Sequence, residues 1–122
     1  MQSVRLRGIL ALLLVFSVIG VDIYTKQLVS SLDSYIDINS LVTFYVIKNY
    51  GIAFCMFDEL SASGLITLNV IIIFILLFLI VEIVKNINSS IYYILGLSFV
   101  FGGGVSNLID RLDNGSVTDF IM

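Results

Sequence analysis

The residues best equipped for chemistry gather near the end of this chain. From Gly102 to Phe120 it reads Gly-Gly-Gly-Val-Ser-Asn-Leu-Ile-Asp-Arg-Leu-Asp-Asn-Gly-Ser-Val-Thr-Asp-Phe. An apolar run closes there, and Asp110, Asp113 and Asp119 follow within a few positions. Asn107, Asp110 and Arg111 stand at i, i+3 and i+4, so a helix puts them on one face. Asn114-Gly115 is a turn signal that brings the short 117–120 segment back towards that helix end. Carboxylates where a membrane helix meets water point to a functional site by default, because charge is costly in hydrocarbon.

The absent residue types narrow the chemistry further. With no His, neither a Ser-His-Asp nor a Cys-His apparatus is available. The single cysteine, Cys55, cannot form an internal disulfide and reads as a small packed residue. A metal site of the usual Cys/His type lacks its ligands, so no metal and no cofactor are expected. Ser-Lys catalysis stays open through Lys26 and Lys48. Carboxylate is what remains in quantity, with seven Asp and two Glu.

These groups sit in an apolar chain. Of its 122 residues 59% are hydrophobic and 12% charged, against about 25% charged in soluble domains. Apolar runs of about 20 residues make it an integral membrane protein. It has no basic stripe, and nucleic acid is not an expected partner. One membrane domain over 1–122 is expected. It has spans at about 8–29, 65–84 and 91–109, judged by the length a bilayer needs. An outer β loop covers 30–63 and an outer segment covers 110–122. Arg5 and Arg7 predict a cytoplasmic amino terminus. No Ala-x-Ala-like site follows the first apolar run, which argues against a cleaved signal peptide.

Asp22 and Lys26 are spaced i, i+4 with the acid first, the favourable order for a helical ion pair. Two readings stay open: Lys26 snorkels outward and merely neutralises Asp22, or both line a polar pocket. In the loop, Leu41–Lys48 reads as one strand or two. Asn49-Tyr50-Gly51 is a turn, and Ile52–Phe57 returns as a second apolar segment, giving a hairpin on the membrane surface. Gly96, Gly103 and Asp110 recur every seven residues, with Gly102 and Gly104 alongside, and small residues let helices approach closely. Asp22, Lys26, Asn69, Asn107, Asp110 and Arg111 all fall in the outer third of their spans. One shared site near the outer leaflet is expected.

At these residues the chain resembles the lipoprotein signal peptidases, or signal peptidase II, of bacteria. Asp22-x-x-Thr25-Lys26 is similar to the family's first-span motif, and Asn49-x-Gly51-x-Ala53-Phe54 to its loop motif. Gly102-Gly-x-x-x-Asn107-x-x-Asp110-Arg111 and Val117-x-Asp119-Phe120 resemble the third-span motif and the first catalytic motif. Four motifs in order on a membrane topology cover essentially the whole chain.

The resemblance implies a helical membrane protein with a small extracytoplasmic β element: three transmembrane helices present here, and a fourth beyond them. It implies an aspartic endopeptidase of the bacterial cytoplasmic membrane, monomeric and surrounded by membrane lipids, with its site at the outer face. Such an enzyme removes signal peptides from diacylglyceryl-modified prolipoproteins just before the lipidated cysteine. Two aspartates hold a water, one ionised and one protonated, since close carboxylates share a proton. Asp119 matches the first of them. Asp110 matches a supporting position paired with Arg111, while Asp22, Lys26 and Asn107 match pocket residues. Asn49 and Gly51 match the loop near the substrate. The second aspartate belongs to an Asn-x-Ala-Asp motif at the start of a fourth span, and the 122 residues hold neither. A second reading, from a different class, is a truncated or non-catalytic homologue that binds lipidated peptides.

Overall fold

The computed structural model describes residues 2–31, 36–39, 42–50 and 61–121. Three helices dominate: α1 (Gln2–Ser30), α2 (Ala62–Lys85) and α3 (Ile91–Asn114). Three strands complete the fold: β1 (Ile36–Asn39), β2 (Val42–Asn49) and β3 (Val117–Ile121). All three helices are long and apolar enough to cross a membrane. At about 1.5 Å per residue, 24 residues rise roughly 36 Å, enough for a hydrocarbon core of about 30 Å. Their surfaces agree with that medium, since Phe16 and Phe74 point outward at 69% and 67% exposure. In water such surface is unfavourable by about 25 cal/mol per Å²; in lipid it is at home.

α3 is the central helix. It packs on α1 along one side and on α2 along another, and among the described residues α1 and α2 do not approach each other closely. Ile94, Ser98, Gly102 and Ser106, four residues apart, form the buried stripe of α3. A Cβ on Gly102 would meet Val18 Cβ at 3.1 Å and the Val15 carbonyl oxygen at 3.2 Å, so glycine there sets how closely α1 approaches. One on Gly104 would lie 2.8 Å from Leu76 Cδ2 of α2. Gly96 and Gly103 have no such neighbour within 4 Å. The seven-residue spacing read from the sequence is therefore not the packing line. The four-residue series through Ser98, Gly102 and Ser106 is, since it is the buried stripe of α3 and Gly102 on it meets Val15 and Val18 of α1.

Local signals set the helix ends. Ser61 caps α2 by accepting the Gly64 N–H at 3.3 Å. Gly115, at φ 73°, closes α3 in the left-handed conformation and donates its N–H to the Arg111 carbonyl at 2.9 Å. At the opposite end Arg7 of α1 reaches the α2–α3 turn, donating to the Ile87 and Ser89 carbonyls at 3.2 and 2.8 Å. Glu82 accepts there from Asn86 Nδ2 at 2.7 Å and from the Tyr93 hydroxyl at 3.0 Å.

The strands form one antiparallel sheet in the order β1-β2-β3. The expected β element is present and has a third strand, supplied by the segment after the Asn114-Gly115 turn. Lys48 pairs with Thr118 and Asn49 with Val117. Gly51 and the apolar 52–57 segment, with Cys55, lie outside the described residues, as does the return arm of the expected hairpin.

Candidate active site

Two polar assemblies flank the C-terminal end of α3. The first lies on its α1 side and is centred on Lys26, which is only 8% exposed. Its Nζ stands 2.7 Å from Asp22 Oδ2 and 3.5 Å from Asp110 Oδ2, and donates to Asn107 Oδ1 at 2.8 Å. Of the two readings of this lysine, outward snorkelling is ruled out. The ammonium turns into the protein because two carboxylates and an amide oxygen replace its water. Ser106, also buried, donates to Asp22 Oδ2 at 2.6 Å. Asp110 in turn accepts from Asn114 Nδ2 at 2.8 Å and from the Thr118 backbone N–H at 2.7 Å. Lys26 thus stands beside Asp110, the carboxylate that the sequence had paired with Arg111. A polar hollow of about 200 Å³ opens on this side, lined by Lys26, Asp110, Asp113 and Thr118 among others.

The second assembly lies on the α2 side. Asn49, 2% exposed, donates its Nδ2 to Asp119 Oδ2 at 2.8 Å. The sheet explains why these residues meet across 70 positions. Asn49 is opposite Val117 and therefore diagonal to Asp119, a spacing across which side chains still reach one another. Strand alternation puts Val117 and Asp119 towards one side of β3 and Thr118 towards the other. A cleft of about 420 Å³ runs from Asp119, Asn49, Asn107 and Arg111 down between α2 and α3, where Ile72, Ile75, Leu76, Leu79, Val100 and Gly104 line it. Among the described residues, Asp119 is the only carboxylate lining this cleft. Asp110 and Asp113 line the hollow on the other side.

The candidate residues are therefore divided. Asp22, Lys26 and Asp110 belong to the ionic cluster, and Asn49, Arg111 and Asp119 to the cleft. Asn107 takes part in both, and Gly51 lies outside the described residues. Ser106 went unread in the sequence, although the buried four-residue series of which it is part was a usable signal. Among the described residues no cluster of carboxylates and cysteine could hold a metal ion.

Known proteins resemble this chain at two levels. Two solved structures described as bacterial membrane enzymes superpose with TM-scores of 0.68 and 0.65. Each is 20% identical; the matches cover 92% and 91% of this chain and 68% and 72% of theirs. They establish the fold. The lipoprotein signal peptidase of Wigglesworthia glossinidia brevipalpis is 36% identical over 114 residues, 89% of this chain and 72% of its own. That of Bartonella tribocorum is 37% identical over 82 residues, 66% of this chain and 47% of its own. That of Streptococcus agalactiae serotype Ia is 34% identical over 84 residues, 69% and 52% respectively. The matched region thus spans about half to three-quarters of these relatives. A family profile described as signal peptidase (SPase) II matches residues 14–122, from the middle of α1 through β3. With that match running through both polar assemblies and the cleft between α2 and α3, the chain belongs to the signal peptidase II family.

Proposed function

We infer that this chain provides the lipid-facing cleft and one catalytic carboxylate of a membrane aspartic endopeptidase. Its substrates are diacylglyceryl-modified prolipoproteins, cut just before the lipidated cysteine. The observation that carries this reading is the position of Asp119 at the polar head of a cleft whose remaining walls are aliphatic. Acyl chains fit those walls and a peptide bond fits the head. Asn49 holds Asp119 by Oδ2, leaving Oδ1 for a water. Asp119 takes a proton from that water as its oxygen attacks the scissile carbonyl. The carbon–nitrogen bond then breaks, and the proton goes to the departing amine of the cysteine. Arg111 adds positive potential where negative charge develops. The second carboxylate of the family's pair, from an Asn-x-Ala-Asp motif, polarises the carbonyl.

Arg5 and Arg7 support a cytoplasmic amino terminus, which sets the cleft head at the outer face of a bacterial cytoplasmic membrane. The protein works there as a monomer among membrane lipids. A second reading rests on Asp119 being alone among the described carboxylates at the cleft: these 122 residues bind lipidated peptide without cutting it. One experiment decides between them. A diacylglyceryl-modified precursor is incubated with the chain as it stands, and with the chain extended by a relative's Asn-x-Ala-Asp segment and last span. Processing by the extended chain, lost in Asp119→Asn, supports the peptidase. Binding without processing in both leaves the binder.

A further inference from the structure

Asn107 joins the two assemblies, and its amide has a definite orientation. The Lys26 ammonium carries three donors and no acceptor, so the 2.8 Å contact to Asn107 requires the amide oxygen on the α1 side. The inverted amide would set N–H against N–H in a site where Lys26 is buried. Flips of this kind, which electron density seldom decides, are decided here by chemistry. With Oδ1 engaged, Nδ2 and its two N–H groups occupy the other end of the planar amide. Asn107 also lines the cleft with Asp119 and Arg111, and no protein group accepts from Nδ2 among the described residues. A donor is thus held open beside the carboxylate that activates water.

We propose that Asn107 Nδ2 donates to the scissile carbonyl oxygen as it gains negative charge, and that Lys26 is the positioning residue that keeps this amide from inverting. The proposal rests on the cleft being the peptide site. Donors held in advance at a developing oxyanion are worth about 10²–10³ in rate, and an amide free to invert would present its oxygen there part of the time. Asp22 and Asp110 contribute by holding the lysine in place, at 2.7 and 3.5 Å.

The test is vibrational spectroscopy of a bound, uncleaved lipopeptide. It carries a diacylglyceryl cysteine and an isotope-labelled carbonyl on the residue before that cysteine. On binding to the wild-type chain in lipid nanodiscs, the labelled band should move to lower frequency. Asn107→Asp keeps an oxygen for Lys26 but has no N–H, and the band of the bound peptide should lose that shift. Lys26→Arg, another pure donor, should preserve it. Lys26→Gln can accept as well as donate, so it should give a mixture of shifted and unshifted bands. A merely structural lysine would alter yield or affinity and leave the band of bound peptide where it was.

An unchanged shift in Asn107→Asp overturns the donor role. A wild-type band in Lys26→Gln overturns the orienting role, and Asn107→Asp still decides if that variant does not fold. Failure of the wild-type chain to bind the lipopeptide overturns the peptide-site reading itself, and this inference with it.

Discussion

The α1 side of α3 and its α2 side are built from similar residues to opposite ends. On the α1 side the polar groups are closed on one another. Lys26 meets Asp22, Asp110 and Asn107, Ser106 meets Asp22, and Asp110 meets Asn114 and the Thr118 N–H. On the α2 side the carboxylate of Asp119 has one side-chain hydrogen bond, from Asn49, and faces a cleft. A charge set within a membrane segment is tolerated when it is paired, so the first side satisfies its charges internally. The second leaves bonding capacity for something that arrives. The glycines differ in the same sense. Gly102 seats α3 against the backbone and β-branched Val18 of α1, whereas Gly104 faces a terminal methyl of Leu76.

The contrast should break first at Asp119. In a processing-competent, extended chain, Asp119→Asn should reduce cleavage by about 10²–10⁴, the usual worth of a general base, with folded yield unchanged. A precursor gel-shift assay beside size-exclusion chromatography reads both; normal cleavage would remove Asp119 from the reaction. Lys26→Ala should act on the fold. Stranding Asp22 and Asp110 costs at least about 2.5–3.5 kcal/mol on insertion scales, seen as a lower midpoint of thermal unfolding in detergent. An unaltered midpoint would mean that the cluster is not structural.

The glycines sharpen the comparison. Gly102→Ala should destabilise by about 1–3 kcal/mol through overpacking against α1, while Gly104→Ala is absorbed by Leu76. Gly104→Phe should lower the midpoint by overpacking on Leu76 and, in the protein that folds, weaken lipopeptide binding at least about tenfold, roughly 1.4 kcal/mol, by filling the cleft; calorimetric titration measures this. Equal effects of the two alanines on stability would abolish the distinction. The smallest expected change is Ser106→Ala. Loss of one hydrogen bond to a charged partner is worth about 1.5–3 kcal/mol at most, and less here because Lys26 still holds Asp22. A small drop in midpoint with full binding is the expected result.

The sequence carried the class of the protein and the level of the site, because apolar runs and the depth of charges along them depend on local spacing alone. It carried less about which way each group turns. Asn107, Asp110 and Arg111 read as one helix face, yet Asp110 and Arg111 are adjacent and so about 100° apart around the axis. α1 takes one edge of that arc and α2 the other, which is a tertiary fact. The fate of Lys26 was open for the same reason, since an i, i+4 pair to Asp22 is compatible with either direction until Asn107 and Asp110 arrive from α3. Asn49 and Asp119 meet through sheet register across 70 residues, which neither segment encodes by itself. The return of β3, by contrast, was legible, because Asn114-Gly115 is a signal written in two neighbouring residues.

The way α3 is shared also constrains how the chain can be made. α1 has its partner in α3 and not in the helix that follows it, so it enters the bilayer long before its mate exists. Lys26 and Asn107 are 81 positions apart. At roughly 5–20 residues per second, ribosomal synthesis takes about 4–16 s to cover that distance. Through that interval α1 must sit in lipid with an aspartate and a lysine in its C-terminal half. Their placement on successive turns lets each neutralise the other before anything else has been translated. The pair is thus a provisional arrangement during birth, and α3 later recruits it into a finished one.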